Sequence, residues 1–520
     1  MRLHDYVDYW AAEQPDRELV LHEERPLSYR AAAGASKRLA NALVERGIAS
    51  GDRVAILSKN CPEYLVVYLA ASRVGAAVVP LNYRLAPPEW EHILADARPG
   101  VVFAGSGFVE PLQPIRDAMG DSCVWASLDG LVAGWESYQA WLAAGAESKP
   151  EFNGAEDSPI VQLYTSGTTG RPKGAVISHR AVTANLLQIS CPVRPSPGDR
   201  HLGVAPLFHA AVVPSAFTAL ASGGAIRLMN DFDPERVLRV LSEEHITCAV
   251  LVAAMIQACV AAGSDAAPTR FPSLRLVYYG ASPIASETLK GGAEMFGCGF
   301  IQSYGMSEAT QTVSFLNELD HRRALAGEAN LLLSAGRPAL GTDVRVVNLE
   351  DAAVPAGSVG EIVVRGPQLM SGYWQLPRET ADVLRGGWLH TGDLGSLDES
   401  GYLYVQDRLK DMIVTGGENV YPRAVEEVLY SHPAVADAAV IGVPDERWGE
   451  TVKAVVVVRP GMTASAQDVM DFCAGKLGGF ERPRSVDFVT ALPRNASGKV
   501  LKRDLRQPYW AGRTRQVSGS

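Results

Sequence analysis

The strongest constraint on the fold is an alternation of short apolar runs and helical patterns near the start of the chain. The pattern predicts strands at Arg53–Leu57, 76–81 and Val101–Ala104, with helices at 27–47, 62–74 and 88–97. Asn60 is the expected N-cap of the second helix, Pro62 lies just inside it, and Gly75 ends it. Strand–helix–strand spacing of this kind is typical of a parallel sheet with helices on its faces.

Later segments follow other patterns. Runs at 276–279 and 300–302 predict two strands that each end in a turn of small residues, the usual edge of a ligand crevice in an open α/β sheet. Residues 336–366 contain short β-runs between Gly/Pro turns and predict a small antiparallel or barrel-like subdomain. Beyond residue 408, helices at 422–430 and 467–476 alternate with strands at 435–443, 453–458 and 485–488.

These patterns predict an α/β protein with two domains. The chain of 520 residues is too long for one compact core. We expect a large N-terminal domain of parallel-rich α/β sheets with a small β-barrel-like subdomain at 1–407. A small α+β C-terminal domain is expected at 408–520.

Composition and charge exclude several classes of protein. The net charge of −10 argues against general nucleic-acid binding. The seven cysteines are scattered without CxxC spacing, which indicates reduced thiols and no zinc site. No secretory signal opens the chain, and the most apolar window, 248–262, is shorter than the roughly 18 residues of a membrane span. We therefore expect a cytoplasmic enzyme without a transmembrane segment.

Residues 163–174, LYTSGTTGRPKG, concentrate hydrogen-bond donors after a short apolar run. Hydroxyl groups and bare glycine amides on such a loop suit phosphate oxygens, and Lys173 adds a point charge. The motif is not a Walker sequence, because Gly-Lys-Ser/Thr is absent and the next helix begins only near Ser178. A Gly/Ser/Thr surface linker is the alternative. The predicted phosphate-binding residues are Thr165, Ser166, Gly167, Thr168, Thr169 and Lys173.

Five further phrases follow the loop along the chain. They are PLFH at 206–209, SYGMSE at 303–308, GWLHTGD at 387–393, DRLKD at 407–411 and PRNASGK at 493–499. Each phrase alone has an ordinary structural explanation as a core segment, a helix start or a turn. Together and in this order, they resemble the ANL superfamily of adenylate-forming enzymes over nearly the whole chain. The sequence is most similar to the acyl-CoA synthetases, including fatty acyl-CoA and 4-coumarate-CoA ligases.

The resemblance implies a nucleotide site. Tyr304 corresponds to the residue that stacks on adenine, and Asp393 to the carboxylate that accepts the ribose hydroxyls. Glu308 and Thr165 correspond to the magnesium ligands, and Arg408 to a ribose and phosphate contact. The remaining nucleotide-binding positions implied by the resemblance are Gly280, Ala281, Ser282, Gln302, Gly305 and Met306.

The resemblance also implies the catalytic groups and the path of the thiol. Lys499 corresponds to the lysine that pairs with the substrate carboxylate and α-phosphate. Ser307 stands where many members have threonine and keeps the hydroxyl for the α-phosphate, and His209 lies at the mouth of the acyl pocket. Lys410 occupies the hinge position, about which the small domain brings Gly416 and Gly417 towards the pantetheine arm.

The implied function is an ATP-dependent acid–CoA ligase that uses ATP, Mg²⁺ and coenzyme A, and a homodimer is allowed. Residues 481–515 carry nine Lys/Arg against three Asp/Glu, a cationic excess that suits CoA. A separate carrier protein as acyl acceptor is one alternative, and an ATP-binding regulatory protein is another. The predicted acyl pocket has apolar walls with small residues, which leaves medium or long fatty acids, aryl acids and bulky alicyclic acids open.

Overall fold

A computed structural model describes residues 1–148, 150, 154–166, 172–263, 271–280, 284, 286–494 and 500–511. Within these ranges the chain forms four β-sheets, with helices packed against them. Three sheets are built from strands that precede residue 409, and the fourth is built from strands that follow residue 412.

The strands are numbered in chain order. Those of the first half are β1 (Glu18–His22), β2 (Arg25–Ser28), β3 (Arg53–Leu57), β4 (Ala77–Pro80), β5 (Val101–Ala104), β6 (Val124–Ser127), β7 (Glu136–Ser137), β8 (Pro159–Ser166), β9 (Pro172–Ser178), β10 (Arg200–Gly203), β11 (Ala225–Leu228) and β12 (Cys248–Val252). Those of the second half are β13 (Leu276–Gly280), β14 (Gly299–Tyr304), β15 (Ser314–Leu316), β16 (Arg337–Pro338), β17 (Asp343–Val347), β18 (Gly360–Arg365), β19 (Gly372–Tyr373), β20 (Leu389–Leu397), β21 (Leu403–Arg408), β22 (Ile413–Thr415), β23 (Glu418–Val420), β24 (Val435–Asp445), β25 (Gly449–Val458) and β26 (Ser485–Phe488).

The α-helices are numbered in the same way. They are α1 (Leu3–Glu13), α2 (Tyr29–Glu45), α3 (Pro62–Val74), α4 (Pro87–Ala97), α5 (Ser106–Met119), α6 (Tyr138–Ala144), α7 (His179–Val193), α8 (Thr218–Ser222), α9 (Pro234–Glu243), α10 (Ala253–Gly263), α11 (Ser286–Phe296), α12 (Glu318–Leu325), α13 (Pro377–Val383), α14 (Pro422–Tyr430), α15 (Ala466–Cys473) and α16 (Lys502–Arg506).

The first sheet has the strand order β19-β9-β8-β4-β3-β5-β6-β7 and confirms the predicted parallel core. Gly75 ends α3 in the left-handed conformation, as expected. The predicted cap at Asn60 is wrong, because Cys61 precedes α3. The Asn60 side chain instead bridges two loops: its amide donates to Met229 O at 3.0 Å, and its oxygen accepts from Leu207 N at 2.8 Å.

The second sheet has the strand order β16-β15-β14-β13-β12-β10-β11-β1-β2. Its central strands β10 to β14 run parallel, so the carboxyl ends of β13 and β14 lie side by side. One apolar core joins both sheets; for example, it contains Ile56 and Val78 of the first sheet and Val250 and Tyr278 of the second. This shared core fixes the two sheets against each other.

The third and fourth sheets account for the remaining strands. The third, β17-β18-β20-β21, is antiparallel and covers the region predicted as a small β-subdomain. The fourth, β23-β22-β25-β24 with β26 beside β25, packs with α14 and α15 around a separate apolar cluster that begins at Ile413. The proposed domain boundary after residue 407 stays a prediction.

The segment between the phosphate loop and the next helix forms a strand that the sequence did not predict. We expected the chain to leave the strand and reach a helix near Ser178, and Ser178 does cap α7. Between them, however, β9 runs antiparallel to β8 and pairs Lys173 with Thr165. Within the described ranges, no helix combines the length and the apolar character that crossing a membrane requires.

Candidate active site

Three sheets meet at the predicted nucleotide crevice. β8 of the first sheet carries Thr165, β14 of the second ends at Tyr304 shortly before Glu308, and β20 and β21 of the third bring Asp393 and Arg408. This convergence gathers residues that lie more than two hundred positions apart in the sequence.

Glu308 is the centre of the first group of contacts. It lies in a 3-10 turn (Ser307–Ala309) that begins three residues after the end of β14, and its side chain is buried. Thr165 Oγ1 donates to Glu308 Oε1 at 3.3 Å, and Tyr373 OH donates to the same oxygen at 2.9 Å. The structure therefore brings together the two predicted magnesium ligands and adds a tyrosine. The hydroxyl-bearing residue Ser307 occupies the start of the same turn.

Asp393 is the centre of the second group. Tyr304 OH donates to Asp393 Oδ2 at 2.7 Å, and Arg408 Nε lies 3.0 Å from Asp393 Oδ1. Asp393 and Arg408 are direct cross-strand partners on β20 and β21, so the antiparallel register itself places this pair. Burial and the Asp393 carboxylate hold the pKa of Tyr304 well above its ordinary value, which keeps the phenol a donor.

Two glycines leave room where backbones approach closely. A Cβ on Gly280 would lie 2.5 Å from Ser303 O, and one on Gly305 would lie 1.8 Å from Gln311 O. Any side chain at either position would displace the backbone of the crevice wall. Gln302 contributes a buried side-chain oxygen, Oε1, that has no hydrogen-bond partner among the described residues. Such an acceptor suits a ligand donor such as an exocyclic amino group.

His209 occupies a turn that precedes a stretch of irregular helix. Its Nδ1 accepts a hydrogen bond from Ala211 N at 3.2 Å, and a π-helical turn (Val213–Phe217) follows. Burial lowers the pKa of His209 below its ordinary value, so the ring is neutral at pH 7. With Nδ1 accepting, the proton of the neutral ring is on Nε2, which can donate to a carboxylate.

The predicted hinge and thiol-path residues follow Arg408 along the chain. Lys410 is exposed in a short 3-10 turn (Leu409–Asp411). Gly416 and Gly417 form the two-residue turn between β22 and β23, both with positive φ. A Cβ on Gly416 would lie 2.6 Å from Trp448 Cε3, so the ring of Trp448 packs on this turn while remaining 43% exposed.

Six predicted site residues lie outside the described residues. They are Gly167, Thr168, Thr169, Ala281, Ser282 and Lys499. The backbone of Ser166 ends β8, and Met306 directly precedes the turn that holds Glu308. Their assigned roles stay predictions.

The cationic excess near the C-terminus is partly neutralised in the folded protein by carboxylates from other segments. Three of its members pair with carboxylates outside the segment: Arg494 with Asp437, Lys502 with Glu426 and Arg506 with Asp411, at 2.6, 2.9 and 2.7 Å. Arg482 and Arg484 instead donate to backbone carbonyls, and Arg484 is exposed. These two arginines therefore keep most of their charge available for an anionic ligand.

Sequence reasoning missed several residues that support the site. Tyr373 lies on a strand of only two residues, too short to show any periodicity. Glu361 accepts from Gly392 N at 3.0 Å and contacts His390 Nδ1 at 2.9 Å, which holds the turn before Asp393.

Gln311 was also missed, although its backbone is unusual. Both Gln311 and the preceding residue, Thr310, have a positive φ, of 96° and 50° respectively. Its side chain donates to Ser303 Oγ and accepts from Tyr278 OH. Strained non-glycine residues of this kind concentrate at functional sites.

The residues around Glu308 fit a magnesium ion. Among the described residues no Lys or Arg forms an ion pair with this buried carboxylate, and its partners are neutral hydroxyls. A buried carboxylate with no cationic partner suits a divalent cation. No cluster of three or more His, Cys, Asp or Glu ligands occurs in the described part of the chain. A single carboxylate beside a hydroxyl, as at Glu308 and Thr165, suits Mg²⁺, which takes one or two carboxylates and completes its shell with water and phosphate oxygens.

Comparison with known families shows which family the chain belongs to. Residues 7–374 match the AMP-binding enzyme family, and residues 424–499 match the AMP-binding enzyme C-terminal domain. The chain is 36% identical to the fatty acid–[acyl-carrier-protein] ligase ScoC of Streptomyces coeruleorubidus, covering 98% of this chain and 97% of the relative. It is 38% identical to the indoleacetate–CoA ligase of Aromatoleum aromaticum, covering 98% of each.

A solved structure agrees over the same length. ATP-bound MatB from Rhodopseudomonas palustris superposes with a TM-score of 0.88 at 30% identity, covering 98% of this chain and 99% of MatB. The chain therefore belongs to the AMP-binding family of adenylate-forming enzymes. Within that family, its full-length similarity to curated ligases places it among the acid–thiol ligases.

Proposed function

We propose that the protein is an ATP-dependent acyl-CoA synthetase that activates a hydrophobic carboxylic acid. A carboxylate oxygen attacks the α-phosphorus of ATP, forms acyl-AMP and expels pyrophosphate. The CoA thiol then attacks the acyl carbon, which yields the thioester and AMP. The observation that carries this proposal is the convergence of Glu308, Thr165, Tyr304, Asp393 and Arg408 in one crevice.

The crevice residues bind and orient the nucleotide. Asp393, held by Tyr304 and Arg408, offers carboxylate oxygens to the two ribose hydroxyls. Gln302 offers its side-chain oxygen to the adenine amino group. Gly280 and Gly305 add no side chain to the wall of the crevice, where the backbone leaves no room for one. Fixing the nucleotide in this way removes much of the entropic cost of bringing the carboxylate and the α-phosphorus together.

The carboxylate and the phosphates are both negatively charged, and cations around the phosphates reduce this repulsion. Glu308 and Thr165 would hold Mg²⁺, which neutralises charge on the phosphate oxygens when it is bound. Lys173 serves the β- and γ-phosphates from β9, and Ser307 donates its hydroxyl to the α-phosphate. Lys499 pairs with the incoming carboxylate, where a compact ammonium on a flexible stem can be delivered and withdrawn.

The second half-reaction needs the predicted C-terminal domain, residues 408–520, to change position about Lys410. We infer that this rotation withdraws Lys499 and presents the Gly416–Gly417 turn to the pantetheine arm. Arg482 and Arg484 supply positive charge for the CoA phosphates, since both donate to backbone carbonyls and neither pairs with a carboxylate in the described part of the chain.

His209 and the apolar walls near it suit a hydrophobic acid. The neutral ring would donate from Nε2 to the substrate carboxylate, so it would orient the acid without adding a full charge. Fatty acids, aryl acids and bulky alicyclic acids all fit an apolar wall. Indoleacetate and medium-chain fatty acids are therefore the first members of a test panel.

The test is acid-dependent ATP–pyrophosphate exchange, followed by product analysis with CoA. The proposal predicts exchange with at least one hydrophobic acid and accumulation of its CoA thioester. Lys499→Ala should lower exchange by about 10²–10³-fold, the range for removing one preorganised electrostatic group. Strong preference for acetate or an amino acid, or full exchange in Lys499→Ala, would contradict the proposal.

Transfer to a carrier protein is the second candidate, and the similarity to ScoC favours it. Both candidates share the adenylation step and differ only in the acceptor thiol. Incubating the enzyme, ATP and an active acid with either CoA or a phosphopantetheinylated carrier protein separates them. Acyl-CoA formation supports the first candidate, whereas loading of the carrier with AMP release and no acyl-CoA supports the second.

A further inference from the structure

The segment at residues 368–374, called the bridging segment below, extends the first sheet beside the phosphate loop. Its strand β19 pairs antiparallel with β9, the strand on which the loop returns. Ser371 N donates to Val176 O at 2.8 Å, and Trp374 N donates to Gly174 O at 2.7 Å. The segment is therefore hydrogen-bonded along the strand that carries Lys173.

The same segment is also bound to the turn that follows β14. Met370 N donates to Glu308 O at 2.8 Å. Thr310 Oγ1 donates to Gln368 O at 2.6 Å, and Gln368 Nε2 donates to Thr312 O at 3.2 Å. The bridging segment thus contacts the turn through its backbone, and Tyr373 also contacts the Glu308 side chain of that turn.

Tyr373 makes contacts to both sides at once. Its hydroxyl donates to Glu308 Oε1, and its ring lies 5.3 Å from the Lys173 ammonium, within the range of a cation–π contact. Thr165 uses the same carboxylate oxygen, so both described hydroxyl contacts leave Oε2 for a cation. A buried tyrosine hydroxyl usually finds a hydrogen-bond partner, and here that partner is the carboxylate predicted to bind the metal.

We propose that Tyr373 is a positioning residue that fixes the metal-binding carboxylate of Glu308 and couples it to the phosphate-loop strand through Lys173. The proposal rests on the proposed function, since it assumes that Glu308 receives Mg²⁺. Hydrogen bonds to a metal-ligating carboxylate orient its free oxygen, and losing such a partner typically costs about 10–100-fold in metal affinity. Tyr373 would therefore tune how strongly nucleotide binding depends on the metal.

Two variants separate the hydroxyl from the ring. Tyr373→Phe removes the bond to Glu308 and keeps the ring beneath Lys173, whereas Tyr373→Leu removes both. The measurement is calorimetric binding of the analogue adenosine 5′-(α,β-methylene)triphosphate, whose α–β linkage cannot be cleaved in the adenylation step, with EDTA and then with saturating Mg²⁺. We expect Tyr373→Phe to weaken the Mg²⁺-dependent binding about tenfold and to leave the metal-free binding unchanged. Tyr373→Leu should also weaken metal-free binding, by about two- to fivefold.

Tyr402→Phe is the matched control, because Tyr402 OH donates at 2.6 Å to another carboxylate, Asp320, which belongs to α12. This variant should bind the analogue like the wild type under both conditions. Thermal unfolding of each variant shows whether the fold is kept, and the binding readout needs no turnover. A wild type that binds the metal–nucleotide but exchanges no pyrophosphate would therefore refute the proposed function without touching this proposal.

Glu308→Gln provides the decisive second background. If Tyr373 acts through Glu308, adding Tyr373→Phe to Glu308→Gln should cause no further loss of Mg²⁺-dependent binding. The proposal is overturned if Tyr373→Phe binds the metal–nucleotide as tightly as the wild type. It is equally overturned if the loss is the same with and without Mg²⁺, or the same in both backgrounds.

Discussion

The nucleotide crevice and the junction at residues 405–411 are held by different kinds of contact. The crevice lies on strands of sheets that share one apolar core, with members from Leu3 to Leu403. The two apolar clusters of the small unit, residues 408–511, contain only residues from Ile413 onwards. Among the described residues, no apolar cluster therefore spans the junction.

Polar groups make the described contacts across the junction. Asp407 Oδ2 accepts from Arg423 N at 2.9 Å, and Lys502 Nζ lies 3.9 Å from the same oxygen. The Arg423 guanidinium also donates to Val405 O. Polar contacts can be exchanged for water or for new partners at low cost, whereas a packed apolar core cannot. The comparison teaches that the crevice is preorganised and that the junction is suited to reorientation.

The largest expected effect comes from the crevice, where Glu308→Gln removes the negative charge but keeps the shape. We expect ATP–pyrophosphate exchange to fall by about 10²–10³-fold, because a preorganised electrostatic group is lost. The thermal midpoint should stay unchanged or rise, since a buried charge without a cationic partner costs stability. Glu318→Gln, at an exposed helical pair, should change neither quantity. A large loss of stability in Glu308→Gln would mean that the crevice is a structural element rather than a preorganised site.

Asp393→Asn should give the next effect, on nucleotide binding. The substitution removes the charge that Arg408 and Tyr304 face, and with it the hydrogen bonds expected to the ribose. Because hydrogen bonds to charged groups contribute about 1.5–3 kcal/mol, we expect the KM for ATP to rise by about 10–100-fold. The KM for the acid should change little. Asp343→Asn, which removes an exposed carboxylate from the same third sheet, serves as the control and should match the wild type.

Acid should destabilise the large unit, residues 1–407, at a higher pH than the small unit. Burial lowers the pKa of His4 to about 3 and those of His179, His201 and His321 to about 4, and all four lie before residue 408. The unfolded chain binds more protons below its own histidine pKa of about 6.5, so stability is complete above that pH and falls below it. The loss is up to about 1.4 kcal/mol per pH unit for each histidine.

Hydrogen exchange between pH 7.5 and 5, read separately for the two units, measures this difference. His201→Leu should flatten the pH dependence of the large unit, whereas the exposed His245→Gln should not. Equal loss of protection in both units would contradict the assignment of the buried histidines as the cause.

The smallest effect is expected at the junction. Asp407→Asn keeps an oxygen for Arg423 N but removes the charge near Lys502. Since such pairs contribute about 0.2–1 kcal/mol, we expect the ratio of the thioester-forming rate to the adenylation rate to shift by about threefold. Rapid-quench measurement of both half-reactions tests this, with the surface variant Asp231→Asn as control. A loss as large as that of Glu308→Gln would show that the junction is part of the chemistry rather than a pivot.

The sequence predicted those elements of the fold and of the candidate site that depend on a local sequence pattern. Apolar periodicity located β3, β5, α14 and β26 to the residue, because each is bounded by clear turn or helix-start signals. The ordered motifs identified Glu308, Thr165, Asp393 and Arg408, whose meeting across three sheets the structure then displays.

The remainder depends on long-range packing, which leaves no local signal. Asn60 looks like a helix cap, yet the loops at Leu207 and Met229 compete successfully for its side chain. Tyr373 gains its two partners only because β19 docks on β9. The cationic excess of the C-terminal segment shrinks because Asp411, Glu426 and Asp437 fold against it.

The measurement that tests the central claim most directly is the fate of an isotopic label in the acid. An active acid carrying ¹⁸O in both carboxylate oxygens is incubated with the enzyme, ATP, Mg²⁺ and CoA, and the nucleotide product is analysed by mass spectrometry. Attack of the carboxylate on the α-phosphorus predicts one ¹⁸O atom in AMP and none in pyrophosphate. Label in inorganic phosphate, together with ADP as the nucleotide product, would contradict the account.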